Sequence, residues 1–202
     1  MNWLGFLHGR FVHEGRVSRL SSLLAELLPP NASVLDVGCG DGRIASLISS
    51  RRSDVTIEGI DVHVRDSALT PVSSFDGKTI PFDENSFDVV MFVDVLHHTD
   101  DPIVLLREAA RVARKIVLLK DHNDEGVLSN QTLRLMDWIG NSPHGVALPY
   151  NYWKRRSWEA AFENIGLSCV VQIEDLRLYP PLIDRICGRE LQFITALSVP
   201  HS

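Results

Sequence analysis

"VLDVGCGDGR", residues 34–43, runs from a short apolar segment straight into three glycines at every second position. Gly38, Gly40 and Gly42 permit backbone torsions that side chains disfavour, and they let a ligand approach the chain closely. The residues after them return to helical spacing in "GRIASLISSRR" (42–52), so the helix-start N–H groups face whatever the glycines admit. A dinucleotide fingerprint would need its third glycine at position 43, which is Arg43, and a phosphate loop would need a Gly-Lys-Ser/Thr run that is absent. Asp36 and Asp41 flank the loop. Carboxylates there repel a pyrophosphate and suit a cationic, hydroxyl-rich ligand such as S-adenosylmethionine (SAM).

Outward from this stretch, strand and helix alternate. "VTIEGID" (55–61), "FDVVMFVDV" (87–95) and "KIVLLKD" (115–121) read as buried strands, the middle one apolar almost throughout, as expected for a strand covered on both faces. "RVSRLSSLLAELLPP" (16–30) and "DDPIVLLREAARVAR" (100–114) read as helices, the second with Asp100 or Asp101 as cap and Pro102 in its first turn. Further helices are expected around 129–140 and 153–165, and "LSCVVQIEDLRL" (167–178) and "ELQFITALS" (190–198) read as strands. The alternation predicts an α/β fold with a mostly parallel, doubly wound sheet, and the last two strands an antiparallel edge pair. Ligands in such sheets sit at the carboxyl ends of the strands.

With 202 residues, 45% hydrophobic and 23% charged, the chain is expected to form one domain spanning 1–202. Within it, 1–30 would be an N-terminal helix and lid, with Trp3, Phe6 and Phe11 as the lid's apolar contacts, and 122–153 a substrate-side insertion. No apolar run approaches the roughly 20 residues needed to span a bilayer, so no stable membrane insertion is expected. The N-terminus lacks the pattern of a secretory signal, which sets a cytoplasmic location as the expectation. Three cysteines, Cys39, Cys169 and Cys187, show no zinc-type spacing and are expected to be reduced. A net charge of −6 argues against a nucleic-acid partner, the one dense basic run being Lys154–Arg155–Arg156.

"VLDVGCGDG" resembles the first motif of class I SAM-dependent methyltransferases, and "IPFDENSFDVVMFVDVLHH" (80–98) a later motif of their small-molecule branch, which includes ubiquinone- and menaquinone-pathway enzymes. The resemblance implies a Rossmann-like seven-stranded sheet of order 3-2-1-4-5-7-6. It implies SAM as cofactor, S-adenosylhomocysteine (SAH) as product, and a small-molecule acceptor methylated at O, C or N. It places Gly38, Cys39, Gly40 and Val93 against the methionyl part, Asp36 near its ammonium, Asp61 with Val62 at the ribose, and Asp76 and Gly77 at the adenine edge. "RVARKIVLLKDH" (111–122) departs from the pattern in lacking the usual glycine pair before the fifth strand.

The acceptor side is read from the residues themselves. His97 and His98 follow the fourth strand, Asp121 and His122 end the fifth, and adjacent strands would bring them together. They are the catalytic candidates, as general base or as orienting groups. Histidines and aspartates are competent metal ligands, but no helical HxxxH or comparable spacing supports that role and no metal is expected. Asp94, Trp138, Tyr150, Tyr152 and Trp153 are the candidate substrate contacts. A sequence after the fourth strand that reads "VDVLHH", without the Pro-Pro-aromatic signature of nucleic-acid amino-methyltransferases, favours a small molecule. A non-catalytic SAM-binding sensor and, less favoured, an NAD-dependent oxidoreductase are the alternatives.

Overall fold

A computed structural model describes residues 3–126, 128–141, 150–181, 184 and 191–200, with side chains described from Glu14 onward except at 137 and 139–141. In chain order they form α1 (Trp3–Leu27), β1 (Ser33–Val37), α2 (Arg43–Arg51), β2 (Thr56–Asp61), β3 (Val72–Ser74), β4 (Phe87–Val93) and a 3-10 turn (Leu96–His98). There follow α3 (Pro102–Val112), β5 (Ala113–His122), α4 (Ser129–Asn141), α5 (Arg155–Ile165), β6 (Ser168–Ile173) and β7 (Gln192–Ser198). The seven strands make one sheet in the order β3-β2-β1-β4-β5-β7-β6, as the family resemblance implied. β1 to β5 pair in parallel, and β7 runs antiparallel to both β5 and β6.

The nearly unbroken apolar run of β4 follows from its place at the centre. Val90 and Phe92 pack under α3 and α5 with Leu35, Val117 and Leu119, while Val89 and Met91 pack on the opposite face with Leu20 and Leu24 of α1 and Ile48 of α2. Successive residues alternate between two cores, so every position must be apolar. Asp101 starts α3 by accepting from the Ile103 N–H at 3.0 Å, with Pro102 next to it.

Three details differ from the reading of the sequence. The helical stripe from Arg16 is the second half of a 25-residue helix that begins at Trp3. Its glycines weaken a helix without ending it, and no proline precedes Pro29. The side chains of Trp3, Phe6 and Phe11 lie outside the described residues. β3 has three half-exposed or exposed residues, too few to leave a period-two signature. β6 stops at Ile173, and Leu176 and Leu178 turn back to bury against the α1 face.

The missing glycine pair is accommodated without a loop. Ala113, in extended conformation (φ −75°, ψ 136°), both ends α3 and begins β5. A register shift in β4 between Phe87 and Val89 and a bond from the Asn85 N–H to the Arg111 carbonyl (3.0 Å) take up the tight connection. Among the described residues no helix is long and apolar enough to cross a membrane.

Candidate functional site

The strand order reverses between β1 and β4, and the polar residues of interest collect at the carboxyl ends of the strands there. Gly38 (φ +72°) turns the chain out of β1 while its N–H bonds the Ile60 carbonyl at 2.7 Å. A Cβ at Gly38 would stand 2.7 and 2.8 Å from the two methyls of Val95, so the loop lies directly against the segment after β4. Gly40 (φ +60°) is the opposite case, since a Cβ there would meet only the Arg65 guanidinium, at 4.0 Å. Its backbone is therefore open to a ligand.

Asp61, at the end of β2, accepts the Gly40 N–H and the His63 N–H, each at 2.8 Å, which fixes its carboxylate beside the open glycine. Asp36 is 2% exposed and has no cation against it among the described residues. Burial, with the charge of Asp61 adding to it, pushes its carboxyl up to about 7. A ligand ammonium would supply the missing counter-charge. Gly77 approaches Val62, whose methyl would be 3.0 Å from a Cβ at 77, and Val62 itself is 61% exposed. Asp76 is exposed and accepts the Thr79 and Lys78 N–H groups, which hold it below the usual carboxylate range. Cys39 turns its sulfur toward Gly59, and burial pushes the thiol up to about 12, so it has no thiolate character at neutral pH. An open glycine backbone, an unpaired buried acid and an acid positioned for paired O–H donors fit the SAM that the motif implies.

β4 and β5 are adjacent, and the candidates at their ends meet. Asp121 is fully buried and accepts three bonds, from His97 Nδ1 (2.6 Å), the His122 N–H (2.8 Å) and the Leu96 N–H (3.0 Å). Burial would raise its pKa, but the His97 and His122 imidazoles override that and hold it well below the usual range. His97 is buried in a cluster of rings, with His98 at 4.1 Å, His122 at 4.7 Å and Tyr152 at 5.5 Å between centroids. His98 is half-buried and lies on the more open side. Burial, reinforced by the charge of Lys120, pushes His122 down to about 4, so it is neutral at pH 7. His97, Asp121 and His122 bring one ligand atom each within 4.8 Å of one another, close enough to share a cation. Such an ion would compete with the three bonds Asp121 already accepts.

Asp94 adopts φ +58°, a torsion aspartate tolerates better than most residues. Its carboxylate thereby meets Arg16 of α1 at 2.6 Å and the fully buried Lys120 ammonium of β5. Burial alone would raise Asp94, but Lys120 and then Arg16 hold it well below its ordinary value. Of the aromatic candidates, Tyr152 stacks on His97, Tyr150 carries the Arg134 guanidinium at 4.2 Å, and Trp138 is 57% exposed. Trp153 packs 4.9 Å from Trp158 and belongs to the core under α5. Neither Arg16 nor Lys120 is among the candidates the motifs point to; the signal for Lys120 is a lysine closing the apolar run Ile116–Leu119 of a buried strand.

A family described as a methyltransferase domain matches residues 8–172. The 27-O-demethylrifamycin SV methyltransferase of Amycolatopsis mediterranei is 31% identical over 116 residues, 50% of this chain and 42% of that protein. The ubiquinone biosynthesis O-methyltransferase of Hahella chejuensis is 31% identical over 115 residues, 51% of this chain and 48% of that protein. The chain thus spans about half the length of the curated relatives it matches. Among solved structures, the cyclase SpnF superposes with a TM-score of 0.66 at 16% identity, covering 92% of this chain and 81% of that one. A likeness at that level shows the fold, and a fold hosts more than one chemistry.

Proposed function

The chain belongs to the methyltransferase-domain family, and on that footing we propose that it transfers a methyl group from SAM to a hydroxyl oxygen of a small molecule. The observation that carries the reading is the juxtaposition, across the β1–β4 switch point, of the acid-flanked glycine loop with the Asp121–His97 pair. The bound cofactor supplies an electrophilic methyl on a sulfonium. Gly38 and Gly40 offer backbone to its methionyl part, Asp36 offers its ammonium a counter-charge, and Asp61 accepts from the ribose hydroxyls. Such a cofactor would give up its methyl to the acceptor oxygen and leave as SAH, the electron pair of the S–CH₃ bond staying on sulfur.

The hydroxyl proton passes to the imidazole cluster. His97, buried and bonded through Nδ1 to Asp121 at 2.6 Å, holds the cluster in place, and the Asp121 charge stabilises an imidazolium formed in it. His98, on the open side, is the member of the cluster nearest to solvent. Holding the acceptor in line with the S–CH₃ bond supplies roughly 7–11 kcal/mol of the barrier. Proton removal adds about 10²–10⁴-fold. The O-methyltransferase names among the relatives support oxygen over nitrogen or carbon.

The test is SAH release and acceptor mass gain from SAM against a panel of phenols and alcohols, with His97→Gln and His98→Gln measured separately. Turnover on a hydroxylated acceptor with loss in at least one variant is expected. Tight SAH binding with no turnover on any hydroxyl, amine or acidic carbon would replace the enzyme by a SAM-binding sensor.

A further inference from the structure

Arg16 and Lys120 reach the same carboxylate from opposite elements, α1 and β5. Asp94 is the one carboxylate hydrogen-bonded to either cation among the described residues, so two cations share one acceptor. The other polar partner of Arg16 is the neutral phenol of Tyr179. The Asp121 carboxylate attracts the Lys120 ammonium, which burial lowers from its ordinary value, but gives it no acceptor, because its bonds go to His97 and to the Leu96 and His122 N–H groups. Donors are also in excess over protein acceptors. Among the described residues Arg16 Nε is buried with no partner, and the Lys120 ammonium, with three N–H bonds and no exposure, gives a hydrogen bond only to Asp94. Arg16 and Asp94 are 22% and 21% exposed, which leaves the pair open on one side while Lys120 forms its floor.

Buried N–H donors on two cations are costly to leave unused unless a further acceptor completes them. The arrangement also stands beside the proton-accepting cluster. His122 Nδ1 lies 3.6 Å from Asp94 and 3.5 Å from Asp121, so one imidazole ring separates the two groups. We propose that Arg16 and Lys120 form a subsite for a carboxylate on the methyl acceptor, which makes the substrates of this site small hydroxy acids. The inference rests on the reading of the site as an O-methyltransferase centre. With the Asp94 and Asp121 carboxylates both beside these donors, a monoanionic carboxylate is repelled less than a dianionic phosphate. Arginine offers a planar N–H fork, and Asp94 holds it and the ammonium on the same side of the opening.

The test titrates 4-hydroxybenzoate, its methyl ester and 4-hydroxyphenyl phosphate into the whole protein, with and without saturating SAH. SAH affinity is measured first. 4-Hydroxybenzoate is expected to bind at least about tenfold more tightly than the ester, the worth of one charge-assisted hydrogen bond. Arg16→Gln is expected to erase that preference while SAH affinity and the unfolding midpoint stay near wild type, and Arg16→Lys to keep part of it. Equal binding of acid and ester, no binding of either, an undiminished preference in Arg16→Gln, or tighter binding of the phosphate each overturns the proposal. Failure of SAH to bind while the acid preference persists would instead sink the methyltransferase reading and leave the anion subsite standing.

Discussion

Asp36→Asn replaces a buried carboxylate by a neutral amide of nearly the same shape. Burial, with the Asp61 charge adding to it, pushes this carboxyl up to about 7 in the folded chain, against 3.8 for an ordinary aspartate. The folded state therefore binds this proton more tightly than the unfolded state does. Between pH about 4 and about 7 the folded chain holds more protons, so its stability falls as pH rises through that window. At about 1.4 kcal/mol per pH unit, the full cost above pH 7 is about 4 kcal/mol. The amide carries no such charge but costs roughly 1–3 kcal/mol if its own groups stay unpaired. The net expectation is that Asp36→Asn is more stable than wild type by about 1–3 kcal/mol at pH 8. The advantage should disappear toward pH 4, where the wild-type carboxyl is protonated. Binding should move the other way, with SAH affinity at pH 8 falling roughly 10- to 100-fold as the ammonium loses its counter-charge. Urea unfolding at pH 5 and pH 8, with calorimetric SAH titration at pH 8, measures both. A stability difference that does not change with pH, or unaltered SAH affinity, would refute the reasoning.

Gly38→Ala forces a side chain into φ +72° and against the Val95 methyls, and should cost about 1–3 kcal/mol in urea unfolding. Adding Val95→Ala should recover only the contact part, and full stability in the single variant would contradict the loop geometry. Asp121→Asn removes the charge that three donors share and should lower kcat by about 10²–10⁴-fold with an altered pH profile. It should also lose roughly 3–5 kcal/mol of stability, as when one partner of a buried pair is removed. Unchanged turnover and pH dependence would exclude Asp121 as the group that orients the base.

The topology was legible because its signals are local. An apolar run feeding glycines, the alternation of strand and helix, and the Asp101–Pro102 helix start all follow from neighbouring residues. The meeting of His97 with Asp121 follows from the adjacency of β4 and β5 that the strand–helix alternation predicts. Their 2.6 Å contact does not, since it depends on the 3-10 turn at Leu96–His98. Arg16 was illegible because its partner Asp94 lies 78 residues away, and helix periodicity describes only the apolar face of α1. Trp153 shows the converse limit. Tyr152 and Trp153 are alike in sequence context, and only packing sends one to the imidazole cluster and the other to the core.

The central claim is that the acid-flanked glycine loop is a SAM site, and calorimetry with SAH and NAD on the wild-type chain and on Asp61→Ala tests it most directly. One SAH bound per chain, no NAD binding, and SAH affinity lowered roughly 10- to 100-fold by Asp61→Ala are the predicted results, the last for loss of a charged acceptor of two hydroxyls. NAD binding in place of SAH, or SAH affinity indifferent to Asp61→Ala, would contradict the account.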